Sequence, residues 1–151
     1  MKESHAVNSF FNVELCTNVI GALLKQLSEK LNAVRLQAGQ CLEKLLCSTS
    51  PLIPFLPCRK DVVSALDLND RENESRQRNW ANPSETFPLV MRVAALGVDV
   101  FFDNIISGMV ISCGGLTESV TKHATKSLLE YLRCLKSNAS FAIVGDGKIH
   151  R

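Results

Sequence analysis

Cys113 and His123 are the side chains of this sequence best suited to act as a nucleophile and its base. A thiol is activated only when the base lies within hydrogen-bond reach. Cys113 falls in the most apolar stretch of the chain, where structural cysteines are usually inert. Asp99 and Asp103 share one helix face, but that spacing alone makes neither a metal site nor an acid–base pair. We therefore predict no catalytic residue and a protein that is not an enzyme.

Phosphate and metal sites are also not indicated. The GDGK segment at residues 145–148 resembles half of a phosphate-binding loop, but it lacks the full G-x-x-x-x-G-K-[ST] frame. The cysteines form no C-x-x-C motif and no Cys/His cluster with zinc-finger spacing. We expect them to be small apolar core residues, with disulfides or metal ligands as the alternative, and we expect no cofactor. The six are Cys16, Cys41, Cys47, Cys58, Cys113 and Cys134.

Composition narrows the class of protein. The chain has 151 residues, 46% of them hydrophobic, and a formal net charge of +2. Disordered chains are poorer in apolar residues, and nucleic-acid binders usually carry a basic excess, so we predict a folded chain that does not bind nucleic acid. The apolar stretch 98–116 contains Asp99, Asp103 and Asn104, which argues against membrane insertion. Residues 1–12 show no secretory pattern, so we expect a cytoplasmic protein.

The elements that would position any site are helices. Apolar residues recur every three or four positions, which is typical of amphipathic helices. Asn32 and Thr117 are candidate N-caps, and Asn82-Pro83-Ser84-Glu85 has the pattern of a helix start. Gly97 and Gly114-Gly115 are candidate helix ends. The inward face of the last helix is predicted to be Val120, Ala124, Leu128, Tyr131, Leu132 and Leu135.

An internal repeat predicts an α-solenoid segment. Val34, Ala38, Leu42 and Leu46 match Val120, Ala124, Leu128 and Leu132 at an offset of 86, which is twice 43. HEAT and armadillo units repeat every ~40–47 residues. We predict an all-α fold of antiparallel helix pairs over about 13–47, 59–96 and 99–136, with a polar loop at 67–82. Residues 1–12 would be an extension and 137–151 an irregular tail; the alternative is an irregular helical bundle.

With no catalytic, metal or phosphate site predicted, individual side chains could still contact a partner protein. Trp80, the single tryptophan, lies at the edge of the polar loop, and Trp and Arg are enriched at binding hot spots. We predict partner contacts through Trp80 and through Arg133, which we place on the outer face of the last helix. The alternative for Trp80 is a loop residue packed between helices. In the HEAT-like pattern of the second helix, Val34 would pack inward and Arg35 would point outward.

Several segments resemble the tubulin-folding cofactor D family, also called tubulin-specific chaperones D. They are NWANPSETFPLVMRVAALG, IISGMVIS and GGLTESVTKHATKSLLEYL, with weaker likeness in EKLNAVRLQAGQCLEKLL and SPLIPFLP. The resemblance covers about residues 10–136 and only part of the C-terminal half of that much longer family protein. The tail SNASFAIVGDGKIHR does not resemble the family's helical continuation.

The resemblance implies a function in tubulin assembly. The family binds β-tubulin after the chaperonin step and builds αβ-tubulin heterodimers with cofactors C and E. It also binds an Arf-like small GTPase and, together with those cofactors, stimulates GTP hydrolysis by tubulin. This implies a cytoplasmic protein of the microtubule cytoskeleton that acts by binding. The alternative is a generic helical-repeat scaffold for protein–protein contacts.

Overall fold

The computed structural model describes residues 13–48, 56, 58–69 and 78–146. Within these ranges the chain forms six helices and no strand, which confirms the prediction of an all-α fold compatible with a helical-repeat segment. The predicted extension at 1–12 lies outside the described residues, as does half of the polar loop, residues 70–77. The helices are α1 (Val13–Leu27), α2 (Asn32–Cys47), α3 (Arg59–Ala65), α4 (Pro83–Ala94), α5 (Asp99–Cys113) and α6 (Glu118–Asp146).

Helices α1 and α5 form the most extensive helix–helix contact, and α2 packs on α1 beside it. Small residues allow the close approach: a Cβ added at Gly108 would lie 2.8 Å from the carbonyl oxygen of Lys25. The Ser112 hydroxyl donates a hydrogen bond of 2.6 Å to the carbonyl oxygen of Ser28. The α1–α5 interface is therefore held by backbone proximity and by a buried hydrogen bond.

Helix α4 packs against four other helices, α1, α3, α5 and α6. Its inward residues form part of a continuous apolar core. Burial of such side chains contributes roughly 1.5–3 kcal/mol each, which is the main source of stability for the fold. The largest fully buried apolar residues besides Trp80 are Ile20, Leu24, Leu27, Leu42, Val62, Leu66, Phe87, Phe101, Ile105 and Met109.

The helix ends agree with most sequence signals. Asn82 is the N-cap of α4, and its side chain accepts a hydrogen bond of 3.1 Å from the backbone N–H of Ser84. Gly97, just after α4, has a φ of 77°, a left-handed conformation that favours glycine. The prediction for Asn32 is wrong by one residue, since Leu31 is the N-cap of α2 and Asn32 begins the helix.

The irregular tail predicted for 137–151 is also corrected, because α6 continues to Asp146. Residues 137–144 contain neither Pro nor Gly, so nothing in the sequence interrupts the helix before Gly145. Residues 147–151 lie outside the described residues. No helix in the described part of the chain is long and apolar enough to cross a membrane.

Candidate functional site

The side chain of Arg35 lies at the centre of a polar cluster beneath the turn between α1 and α2. Its Nη1 donates to the carbonyl oxygen of Glu29 at 2.7 Å. Its Nη2 donates to the carbonyl oxygen of Ala81 at 2.5 Å and also to Oδ1 of Asn32. The guanidinium carbon lies 5.4 Å from the centroid of the Phe87 ring, within the range of a cation–π contact. Arg35 therefore links α2, the α1–α2 turn and the segment that leads into α4.

This placement corrects the prediction that Arg35 points outward, since the residue is 0% exposed. Burial lowers the pKa of Arg35 from its ordinary value, and the nearby Glu29 carboxylate opposes that shift. The buried Nε has no hydrogen-bond partner among the described residues. The sequence did contain a signal for burial, because Arg35 precedes Ala38, Leu42 and Leu46 at helical spacing on the same face.

Trp80 packs next to this cluster and is 2% exposed. A Cβ at Gly39 would fall 2.1 Å from Cγ of Trp80, so the indole lies directly on the backbone of α2. Its Nε1 donates a hydrogen bond of 2.9 Å to Oε1 of Glu43, and its carbonyl oxygen accepts one of 2.9 Å from the Thr86 hydroxyl. The burial favours the alternative kept open for Trp80, a packed loop residue, over an exposed contact for a partner.

Arg78 ties the two described ends of the polar loop together. Its guanidinium lies 3.5 Å from Oδ2 of Asp67 and donates to the carbonyl oxygen of that residue. It also lies 5.8 Å from the centroid of the Trp80 ring. The loop is therefore anchored at residues 67 and 78–80, against α2 and α4.

Arg133 is exposed on α6, as predicted. It belongs to a row of exposed side chains that step by four and three residues along the helix, Lys122, Lys126, Leu129, Arg133 and Lys136. We call this row the basic outer face. Leu129 in the middle of the row is 46% exposed. Among the described residues, no salt bridge joins Lys122, Lys126 or Arg133 to a carboxylate.

Next to this face, a groove of about 410 Å³ separates α4 from the second half of α6. Pro88 and Met91 line it on α4, and Tyr131 and Leu135 line it on α6. The predicted inward positions Leu132 and Leu135 are wrong, because both are exposed. A second apolar groove, of about 400 Å³, lies between α1 and α2 beside Leu23, Val34 and Cys41. These grooves and the basic outer face are candidate surfaces for binding.

The residues considered for catalysis are placed apart from any shared polar cluster. No hydrogen bond joins Cys113 to His123 in the described part of the chain. Asp99 and Asp103 are both exposed on α5. No group of three or more His, Cys, Asp or Glu among the described residues has an arrangement suited to a metal ion.

The six cysteines lie in the described ranges and form no disulfide bond. The expectation that they fill the core is wrong for Cys41, Cys58 and Cys134, which are exposed. Cys16, Cys47 and Cys113 are half-buried. Periodicity alone did not identify the exposed ones, because a short apolar side chain fits the edge of a helical stripe as well as its centre.

Comparison with known families identifies the family of this chain. No solved structure matches this chain. The family described as "Tubulin folding cofactor D C terminal" matches residues 17–145, which includes all of α6 except its last residue. The resemblance inferred from sequence, over about residues 10–136, is therefore confirmed, and the match extends further toward the C-terminus. The chain belongs to the tubulin folding cofactor D family, and it matches the C-terminal region of that family.

Proposed function

We propose that this chain takes part in tubulin folding as a binding protein that captures β-tubulin during the assembly of αβ-tubulin heterodimers. The observation that carries the proposal is the family match over residues 17–145, which covers five of the six helices completely or almost completely and most of α1. The likeness of GGLTES and the following helix to the family supports the same assignment.

The proposed partners are β-tubulin, tubulin-folding cofactors C and E, and an Arf-like small GTPase. Together with those cofactors, the chain would stimulate GTP hydrolysis by tubulin without supplying a catalytic group of its own. It would act in the cytoplasm, on the tubulin pool of the microtubule cytoskeleton. Family membership supports these finer assignments.

Contact is the mechanism that the geometry supports best. Leu129, Leu132 and Leu135 are large apolar side chains that stay exposed along α6. Contiguous exposed apolar surface marks sites of protein–protein interaction. The groove between α4 and α6 continues this surface, so one side of the molecule offers both apolar area and a shaped concavity.

Affinity capture from a cell lysate tests the proposal. We expect the immobilised full chain to retain β-tubulin and the small GTPase, detected by immunoblot. A Leu132→Gln/Leu135→Gln variant should retain less of both, because it removes exposed apolar surface without opening the core. The matched control is Leu15→Gln/Val19→Gln, which changes two exposed apolar residues of α1.

Two results would contradict the proposal. Retention of many unrelated proteins without tubulin would favour the generic scaffold. Equal loss of tubulin in the test and control variants would show that capture does not depend on the α6 surface. Far-UV circular dichroism of each variant is recorded first, so that a loss of capture is not confused with unfolding.

A further inference from the structure

We propose that the basic outer face of α6 binds an acidic segment of a partner protein. The row from Lys122 to Lys136 spans about 21 Å along the helix axis. An extended segment of about six residues has the same length. Its carboxylates would meet the cations of the face, and an apolar side chain between them would contact Leu129.

The charge pattern of α6 is the first argument. Lys122 and Lys126 are one turn apart, and like charges at this spacing destabilise a helix slightly. Neither cation is compensated by a salt bridge among the described residues, nor is Arg133. Of the two carboxylates nearby, Glu118 lies one turn before Lys122 and Glu130 one turn after Lys126, where they reduce the repulsion without forming a salt bridge. An acidic partner would relieve the repulsion that remains.

The packing of α6 argues against a membrane as the partner. A basic helix that lies in a bilayer surface needs a free apolar face to insert. Around Lys122 and Lys126 the opposite face of α6 is covered, since Val120 and Ala124 are buried. This part of the helix could therefore touch lipid headgroups but could not bury an apolar side.

Nucleic acid fits this face less well than an acidic peptide. The chain as a whole carries 17 Lys+Arg against 15 Asp+Glu, so it has no extended basic field. The face has no aromatic side chain on which a base could stack, a feature typical of single-strand binders. A leucine set among cations is better matched by a peptide that carries both carboxylates and an apolar residue.

The inference concerns the chemistry of one contact and goes beyond the proposed function, so its failure would leave the tubulin role intact. The test measures fluorescence anisotropy of a labelled oligoglutamate peptide with one central leucine, titrated with the full chain. Lys122→Gln/Lys126→Gln/Arg133→Gln should weaken binding about tenfold, as expected for three exposed charge pairs. Salt at about 0.5 M should weaken wild-type binding in the same direction.

The matched control removes the same charge elsewhere. Lys30→Gln/Lys44→Gln/Lys60→Gln changes three exposed lysines outside α6 and should leave the affinity within about twofold. Leu129→Ala should weaken binding of the leucine peptide but not of a plain oligoglutamate. Equal weakening in both triple variants would overturn the inference, as would tighter binding to a single-stranded oligonucleotide or to phosphatidylserine vesicles than to the peptide. All variants change exposed residues and should melt like the wild type.

Discussion

Helices α2 and α6 carry the same apolar spacing but bury it to different extents. The first three matched positions are buried or half-buried in both helices. The fourth differs, because Leu46 on α2 is 3% exposed and Leu132 on α6 is 56% exposed. The same sequence pattern therefore produces a complete inward face in one helix and an incomplete one in the other.

Helix length and neighbours explain the difference. Helix α6 has 29 residues, whereas its neighbours α4 and α5 have 12 and 15. At 1.5 Å per residue these are about 43, 18 and 22 Å, so neither neighbour can cover the whole length of α6. The end of α2 is covered by α3, where Arg59 donates a hydrogen bond of 2.7 Å to the carbonyl oxygen of Leu46. An apolar face is buried only where another element reaches it.

The largest loss of stability is expected at Trp80, which covers the middle of α2. Trp80→Ala should lower the free energy of unfolding by about 3–5 kcal/mol, because it leaves a large cavity against Gly39. Urea unfolding followed by far-UV circular dichroism measures the change, since the variant has no tryptophan fluorescence. Trp80→Phe keeps a ring and should cost less. A change below about 0.5 kcal/mol for Trp80→Ala would contradict the buried placement.

Leucine-to-alanine changes at the fourth matched position test the comparison directly. Leu46→Ala should destabilise the fold by about 2–5 kcal/mol, because it empties a filled core site. Leu132→Ala should change stability by no more than about 0.5 kcal/mol, because its side chain is mostly in solvent. The pair is compared in one urea series. Equal effects of the two changes would show that the end of α6 is covered.

Sequence periodicity together with capping residues was sufficient to predict the helices and several of their ends. The capping residue Asn82 and the helix-ending glycines Gly97 and Gly114 were identified because they act locally, through one backbone hydrogen bond or one dihedral angle. The same periodicity predicted that Leu132 packs inward, which is wrong. It could not tell that the neighbouring helices leave that side chain exposed.

The full Arg35 cluster could not be predicted, because two of its four partners come from distant parts of the chain. The carbonyl oxygen of Ala81 and the ring of Phe87 are more than forty residues away from Arg35 in sequence. Burying a charged side chain is costly unless hydrogen-bond acceptors surround it. From sequence alone, a charged residue beside an apolar helix face is therefore expected to lie in solvent. The burial of Trp80 could not be predicted for the same reason, since Gly39 and Glu43, which it contacts, lie on α2, about forty residues away.

A smaller loss of stability is expected at Gly39, where the Trp80 ring lies on the backbone of α2. Gly39→Ala places a methyl group where the Trp80 ring lies and should cost about 1–3 kcal/mol through overpacking. Gly114→Ala is the matched control, because the nearest atom to its added Cβ is 3.6 Å away and its φ is −87°. That change should be neutral or slightly stabilising. Thermal melts of both variants decide whether the indole can move aside.

The smallest effect should arise at Asn82, which caps the helix that both α2 and α6 depend on. Asn82→Ala removes an acceptor for the Ser84 N–H and should cost about 1 kcal/mol. Asn79→Ala, at an exposed position near the same turn, is the control and should be close to neutral.

Hydrogen exchange in the Asn82→Ala variant shows which neighbours of α4 depend on its first turn. Fraying of that turn should loosen the Ala81 carbonyl that Arg35 binds, and exchange at the start of α2 should become faster. Exchange at the C-terminal end of α6 should not change, because α6, at about 43 Å, is far longer than α4, at about 18 Å. Faster exchange there would show that the end of α6 is stabilised through α4 after all.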